Sequence, residues 1–583
     1  MYKLCSGRNF LICGLGLSYC MLNVAHAAFS PTDPYIQQQQ RNEQIDQQMQ
    51  TNPRVSLKSE QERALGEVQL SKLQSHSEEV CFPVHHFTLE GEQAREFTFA
   101  VVPFTHGKNN IIGRCLGAEG LNQLVELIQN KIIEKGYVTT RVLLPQQNIS
   151  SGTVRFTVIA GRVNQIHFAS NTSRRAHKVN TLPVRQGDIL NIRDIEQGLE
   201  NFKRIPTVDA NFKIKPAETG QPGYSDLDLT WTQTRPYRIN LSLDDSGSKT
   251  TGKYQGTATL SLDHLLTLND LFYTSYTHDV FQHEENKGSS SLYLNYSIPW
   301  NYFLFSANYS DSKYSQNVLG KNENYQYSGT SKQLNFDITR LIYRDASRKV
   351  SLGAGGWFRQ SNNFINDVEI LSQYRRTGGW QIHADYTEYF KKATFNARLS
   401  YKRGTGAFGA ILASEEKFNE AFTRVGIWQI NSTLQVPFKV LSTPFFYTMD
   451  WRMQYSDKIL TPQDRFSIGN RYTVRGFSGE ETLAGTNGLT IRNEFATPVL
   501  HSSHLIYWAL DYGQVGGKNF DYLENRPSYQ TKNNHLVGTA IGLKGQFEKL
   551  NINYDFFVST PLQQPRTMKP DHLVTGFNLN WNF

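Results

Sequence analysis

The stretch HLVTGFNLNWNF, residues 572–583, alternates residue by residue. Leu573, Thr575, Phe577, Leu579, Trp581 and Phe583 fall on one face of an extended chain, and Val574, Gly576, Asn578, Asn580 and Asn582 on the other. Side chains of a strand point alternately to opposite faces, so this pattern gives one apolar surface and one wet one. Lipid on one side and water on the other is the setting of a strand in a membrane barrel. The sequence stops on that strand with an aromatic residue, so the expectation is a chain whose last strand lies in a membrane.

The same alternation runs through residues 237–583. Ile239, Leu241 and Leu243 alternate with Asn240, Ser242 and Asp244, and Ala258, Leu260 and Leu262 with Thr257, Thr259, Ser261 and Asp263. Leu550, Ile552, Tyr554, Phe556 and Val558 likewise oppose Asn551, Asn553 and Asp555. About sixteen such segments fit between short turns such as LTLND, PWN, FKKA and EKL on one side and longer loops on the other. That allots roughly 22 residues to each strand with its connection, enough for a membrane strand of roughly 9 to 11 residues. The predicted fold is a transmembrane β-barrel of 16 antiparallel strands, wide enough for an aqueous lumen.

Composition agrees. A mean hydropathy of −0.49 with 39% hydrophobic residues is low for helical membrane proteins, but a barrel turns half its strand residues toward water. The 12% of aromatic residues can furnish two interfacial girdles. At the amino terminus, Lys3 and Arg8 precede an uncharged stretch from Asn9 to Val24, and Ala25-His26-Ala27 offers small residues for cleavage. Residues 1–27 therefore read as a signal peptide, with an uncleaved inner-membrane helix as the other reading. No later segment has eighteen apolar residues in a row. Without Lys3 and Arg8 the chain keeps 58 basic against 52 acidic side chains, an excess too small and too scattered to argue for nucleic acid.

Between leader and barrel the chain divides again. Residues 28–50 are rich in glutamine, and Asp33-Pro34 is a helix start, with a side-chain cap followed by a proline in the first turn. A helix polar all round needs water or a wet channel, and disorder is its alternative. Residues 51–79 read as a linker. In residues 80–162, Leu121, Leu124, Val125, Ile128 and Ile132 recur at helical spacing, Gly136 stands where a helix stops, and Val154, Phe156 and Val158 alternate as a strand. Residues 163–236 repeat the plan, with a strand over 163–168, a helix presenting Ile192, Ile195, Leu199 and Phe202, and strands near 211–215 and 225–231. With Cys5, Cys13 and Cys20 in the leader, Cys81 and Cys115 remain. An even pair in an oxidising compartment points to one disulfide, two free thiols being the other possibility. Two cysteines are too few for structural zinc, and no metal site is expected.

Two small α/β modules in tandem resemble POTRA domains, whose sheet edges can take up a strand from a passing chain. Leader, polar helix, paired modules and barrel together resemble the outer-membrane transporters of two-partner secretion, the hemolysin-activator and filamentous-hemagglutinin transporter family. The likeness covers nearly the whole chain. It is carried by CF at 81–82, RCLGAEGL from Arg114, GYVTTRVLLPQQNISSG from Gly136, DIEQGLENFKRIPT from Asp194 and DDSGSKTTGKYQG from Asp244. The resemblance implies that residues 28–50 plug the barrel, that the modules lie in the periplasm, and that an unfolded partner exoprotein, an adhesin, hemolysin or contact-dependent inhibition toxin, threads to the cell surface. It implies no cofactor. A related POTRA-barrel insertase that assembles outer-membrane proteins is the alternative, less favoured with two modules and a plug. A monomer bounded by outer-membrane lipid suffices.

The sharpest local motif is RYTVRGFSG, residues 471–479. In the family, Val-Arg-Gly-aromatic forms the tip of a loop folded back into the barrel, here Val474, Arg475, Gly476 and Phe477. An arginine inside a lumen needs a carboxylate, because an unpaired, partly desolvated charge is expensive. In HLIYWALDYGQVGG, Ile506, Trp508, Leu510 and Tyr512 form the lipid face, which puts Asp511 on the lumen face with Tyr507, Ala509 and Gly513. The family's partner motif is an aromatic, any residue, Asp, any residue, Gly. Asp511 and Gly513 match it, whereas Ala509 replaces the aromatic. Arg475 and Asp511 are thus expected to lock loop to wall, with Gly476 allowing a tight turn and Phe477 packing the tip. The plainer readings are an exposed loop arginine and an Asp511 paired with Arg492. Arg492 and Glu494 point inward and either support the lock or solvate the lumen. No nucleophile elbow, phosphate-cradling loop or paired-carboxylate motif argues for an enzyme.

Overall fold

The computed structural model describes residues 28–31, 34–50, 54–55 and 80–583, the last range apart from 107–108, 171, 220, 282–286, 320–322, 501, 522–525, 530–533 and 567. The leader, residues 1–27, and most of the linker lie outside the described residues.

Residues 237–583 close into one antiparallel barrel in which each long strand pairs with its sequence neighbour and the last, Val574–Asn582, returns to the first, Tyr237–Asp244. Sixteen strands form the wall, and a two-residue strand, Val368–Glu369, extends one hairpin. The alternation sorts the side chains as the sequence predicts. Ile239, Leu241, Leu260, Phe556, Val558 and Trp581 are exposed on the outside, whereas Thr257, Thr259, Ser261 and Ser275 are buried within. Inside, cross-strand hydroxyl pairs such as Thr257–Thr277 at 2.9 Å and Thr259–Ser275 at 2.8 Å satisfy one another. Leu550 departs from expectation: it belongs to the turn Glu548–Leu550, and the strand begins at Ile552, because Asn551 takes a left-handed conformation (φ 50°) that ends the turn.

The first α/β module lays the helix Ala118–Glu134 on a sheet of His86–Glu90, Thr153–Ile159 and Arg141–Leu143. Leu121, Leu124, Ile128 and Ile132 meet Val154, Phe156 and Val158 in its core, and Gly136 is left-handed (φ 101°) just past the helix end. Cys81 and Cys115 form a disulfide with a Cα–Cα distance of 5.2 Å. The second module repeats the arrangement, with the helix Ile192–Lys203 against Arg162–Phe168, Tyr224–Gln233 and Val208–Pro216.

That second helix also docks on the turns at the barrel's periplasmic end. Arg204 donates to Ser297 Oγ (2.7 Å) and the Asn269 carbonyl (2.8 Å), and Asn201 donates to the Asn301 carbonyl (2.8 Å). Arg344 pairs with both Glu196 (3.2 Å) and Glu200 (2.8 Å). Tyr302 donates to Asp194, whose carboxyl burial at this joint pushes above its ordinary value despite that bond. Of the linker, Arg54 lies over the Tyr389 ring at 4.3 Å and Val55 accepts from Arg344 at 3.0 Å, both at the same end.

The glutamine-rich segment runs inside the barrel, but not as one helix over 28–50. The helix is Pro34–Met49, and Ala28–Pro31 is a strand paired antiparallel with Glu481–Gly485. Pro31 and Pro34 disfavour helix in the residues before them, and the hairpin of Phe466–Ile468 and Glu481–Gly485 offers an open edge. Polar contacts hold the helix to the wall, as its composition requires. Asp46 accepts from Tyr273 (2.5 Å) and Tyr293 (2.8 Å), Arg41 donates to Ser246 (2.8 Å), and Glu43 pairs with Arg452 (3.1 Å). Only Ile45 and Met49 make an apolar patch, against Leu271, Tyr273 and Tyr293.

Candidate functional site

The long loop 456–486 leaves the extracellular end of the strand Thr443–Tyr455 and folds back into the lumen. Its descent is set locally. Asn470 Oδ1 accepts the Tyr472 amide at 2.9 Å and Thr473 Oγ1 accepts the Gly469 amide at 3.0 Å, closing a tight turn ahead of Val474. Gly469 and Gly476 both have positive φ, 113° and 104°. Val474 and Phe477 then bury completely against Ile468, Leu483, Val515, Leu536 and Met568. This apolar knot fixes the height at which Arg475 meets the wall.

Arg475 and Asp511 make a two-pronged ion pair. The guanidinium donates through Nε to Oδ2 (2.7 Å) and through Nη2 to Oδ1 (2.8 Å), while the Arg475 amide also donates to Oδ2 (3.0 Å). Asp511 is fully buried and Arg475 nearly so. Charge-assisted, two-pronged geometry is the strongest form of such a contact, and removing one partner strands the other. Arg492 stands farther off, its Nε 3.8 Å from Oδ2, and its Nη1 donates to the Tyr472 carbonyl at 3.4 Å. Asp511 therefore faces both arginines, with Arg475 the closer partner.

Glu494, Lys544 and Gly538 exceed the expected set. Glu494 accepts from Arg475 Nη1 at 2.7 Å and also pairs with Lys544, so it joins the loop to a further strand. Gly538 lies beside the loop, and a β-carbon there would meet the Arg475 carbonyl oxygen at 1.7 Å. Gly513 plays a similar part, since its β-carbon would meet Val474 Cγ2 at 2.7 Å. The alternation placed Glu494 on the lumen face, but nothing in the sequence put Lys544 or Gly538 within reach. Ala509, where an aromatic was expected, is fully buried with Ala496, Tyr507 and Ala540.

The loop also touches the polar helix. Gln37 donates to the Gly479 carbonyl at 3.4 Å, and Asn470 donates to Gln40 at 2.9 Å. Together with the Ala28–Pro31 pairing, these contacts tie the outer end of the glutamine-rich segment to the loop rather than to the barrel alone. Among the described residues, no three His, Cys, Asp or Glu side chains gather as metal ligands would.

Comparison with known proteins fits this geometry. The chain is 32% identical over 478 residues to the outer membrane transporter CdiB-2 of Burkholderia pseudomallei (strain 1026b), covering 81% of this chain and 79% of that one. It is 24% identical over 381 residues to the hemolysin transporter protein ShlB of Serratia marcescens, covering 65% and 66%. The solved structure of CdiB from Acinetobacter baumannii superposes with a TM-score of 0.80 at 28% identity, over 95% of this chain and all of that one. Residues 82–161 match the ShlB-type POTRA domain and residues 162–216 a second POTRA domain. Residues 223–545 match the haemolysin secretion/activation proteins ShlB/FhaC/HecB, and the chain belongs to that family.

Proposed function

We propose that this chain carries an unfolded partner exoprotein from the periplasm to the cell surface by two-partner secretion, and that the loop and plug described above hold the pore shut between passages. The observation that carries the reading is the way the lumen is filled. A stable core would pack apolar surface, whereas this plug is a polar helix held by separate hydrogen bonds and ion pairs, each replaceable by water. A helix so held can leave while exposing no apolar surface beyond the small patch of Ile45 and Met49. Its exit would empty a passage lined by hydroxyls, amides and charges, suited to an extended polypeptide.

The remaining parts take matching roles. The POTRA domains sit at the periplasmic mouth and present sheet edges, His86–Glu90 in the first and Val208–Pro216 in the second, that can pair with an extended cargo without demanding a sequence. Arg475, Asp511 and Glu494 lock the loop to the wall, and the loop in turn holds the plug through Gly479 and Asn470. No chemical step is required of any residue. Folding outside supplies direction, because burying apolar surface there opposes return. A single barrel with its lipid annulus is sufficient for the passage.

The test is export itself. Expressing the chain with the secreted partner encoded beside its gene, the partner should appear outside intact cells only when residues 80–236 are present. Absence of export, with loss of other barrels from the outer membrane on depletion, would assign the chain to membrane-protein assembly instead.

A further inference from the structure

The outside of the barrel carries a feature that cargo passage does not use. On the neighbouring strands Asn324–Arg344, Arg348–Ile365 and Arg375–Phe390, the register sets Lys332 opposite Gln360 and Gln360 opposite Arg376. All three share the outward parity of the exposed Leu334, Phe336 and Trp380. The next outward rung toward the periplasm is Leu334, Phe358 and Gly378. Charge gives way to apolar surface in one step, on the extracellular side of Leu334 and Phe358. Two strand spacings put Lys332 and Arg376 about 10 Å apart.

Below this rung the wall is notched. Gly356 lies opposite Phe336 and brings no side chain, and Phe408 reaches over from the extracellular loop to meet Phe336 and Phe358 edge-on, with centroids 6.2 and 6.5 Å apart. Leu334, Phe336, Phe358, Arg376 and Phe408 line an open recess of about 380 Å³. Phe408 holds a left-handed backbone (φ 57°), an unfavourable state for an aromatic residue that the surroundings must maintain. Arg376 Nη2 donates to its carbonyl at 3.0 Å and so braces the loop over the notch.

Arg376 itself is incompletely satisfied. Its guanidinium lies 5.5 Å over the Phe358 ring, its Nε is buried without a hydrogen-bond partner, and no acid pairs with it among the described residues. Lys332 has one acid, Asp311, at 3.8 Å. Arg403, opposite Trp380 on the adjoining strand, and Arg424, in the loop that follows that strand, add to the cationic belt beside the tilted rings of Trp380, Tyr401 and Trp428. A belt of cations with this little acid calls for an anion, and the notch beneath it calls for hydrocarbon.

We infer that this part of the outer wall is a binding site for an acylated, phosphorylated lipid of the outer leaflet, one chain lying in the notch and a phosphate bridging Arg376 and Lys332. Free phosphate would satisfy only the cations, and a zwitterionic phospholipid would bring a positive group to a surface already positive. The lipid fixes the loop around Phe408 and is independent of what the pore exports.

The experiment is lipid retention by the purified full chain in detergent, read by native mass spectrometry with bisphosphorylated lipid A as probe. The expected result is one retained lipid A that neither inorganic phosphate nor phosphatidylethanolamine displaces. The paired substitutions Lys332→Gln and Arg376→Gln should reduce retention roughly tenfold. Phe408→Ala, which lies in a loop outside the barrel ladder, should reduce it with the fold untouched. Full retention in Phe408→Ala, or in the paired variant with a heat-resistant barrel, would overturn the assignment. So would equal retention of phosphatidylethanolamine or displacement by phosphate alone.

Discussion

The carbonyl oxygen of Arg475 lies 1.7 Å from where a β-carbon on Gly538 would stand. Gly538 is the register partner of Asp511 on the adjoining strand, so the loop backbone rests on bare wall beside the carboxylate that grips its side chain. An alanine at 538 would set a β-carbon against main chain, which no change of rotamer relieves. Gly538→Ala should therefore unseat the loop tip and leave the barrel closed. The expected outcome is a fall in export of roughly tenfold with new protease cleavage between residues 470 and 480 on intact cells. Unchanged export and no cleavage would mean that the loop does not rest there in the membrane.

Arg475 and Asp511 should behave as one unit. Asp511→Ala leaves Arg475 with Glu494 and the Asn493 carbonyl, and Arg475→Ala leaves Asp511 with Arg492 as its more distant cation. Either change removes the same two-pronged contact, so the double variant should export little worse than the poorer single one. Losses that add in full would separate the two residues' roles. Arg475→Lys should not restore function, since an ammonium cannot reproduce two parallel N–H donors aimed at one carboxylate.

How much of this was legible in the sequence follows from what each kind of interaction depends on. The faces of the wall were legible, because strand parity is rigid: Ile506, Trp508 and Leu510 are exposed while Tyr507, Ala509 and Asp511 are buried. Arg475 and Asp511 were reachable together only because a loop motif and a parity argument converged. Glu494 and Lys544 were not paired in advance. Their meeting depends on the stagger between strands fifty residues apart, which no local pattern encodes. Ala28–Pro31 was misread for a related reason. Its strand exists because the fold leaves an edge open at Glu481–Gly485, and a short segment takes the structure its neighbour offers.

The first POTRA domain should depend on its disulfide more than the barrel does. Cys81 and Cys115 are 34 positions apart, and the bond ties the strand Phe82–Pro83 to Cys115–Leu116. Closing a loop of that size restrains the unfolded chain and is worth roughly 2–4 kcal/mol. Replacing both cysteines by serine should move the urea midpoint for proteolysis within residues 82–161 downward while the barrel keeps its heat resistance. An unmoved midpoint would assign the stability of this domain to its apolar core alone.

Removing the plug should open the pore. The contacts that hold the helix, from Arg41 to Ser246 and from Tyr273 and Tyr293 to Asp46 on one side and from Arg452 to Glu43 on another, are distributed around the wall, so no single loss empties the lumen, whereas deletion of residues 28–50 removes them all. Single-channel conductance in planar bilayers should rise several-fold on deletion. Tyr273→Phe with Tyr293→Phe should act in the same direction but intermittently, as brief openings, because the carboxylate of Asp46 then loses both phenol donors and favours water. The deletion also takes away Gln37, Gln40 and the strand at 28–31, through which the helix meets the loop. If the loop is steadied by the plug, residues 470–480 should become protease-sensitive in the deleted chain even with Arg475 and Asp511 intact. If conductance rises and the loop stays protected, the ion pair holds the loop without help, and the two devices open separately.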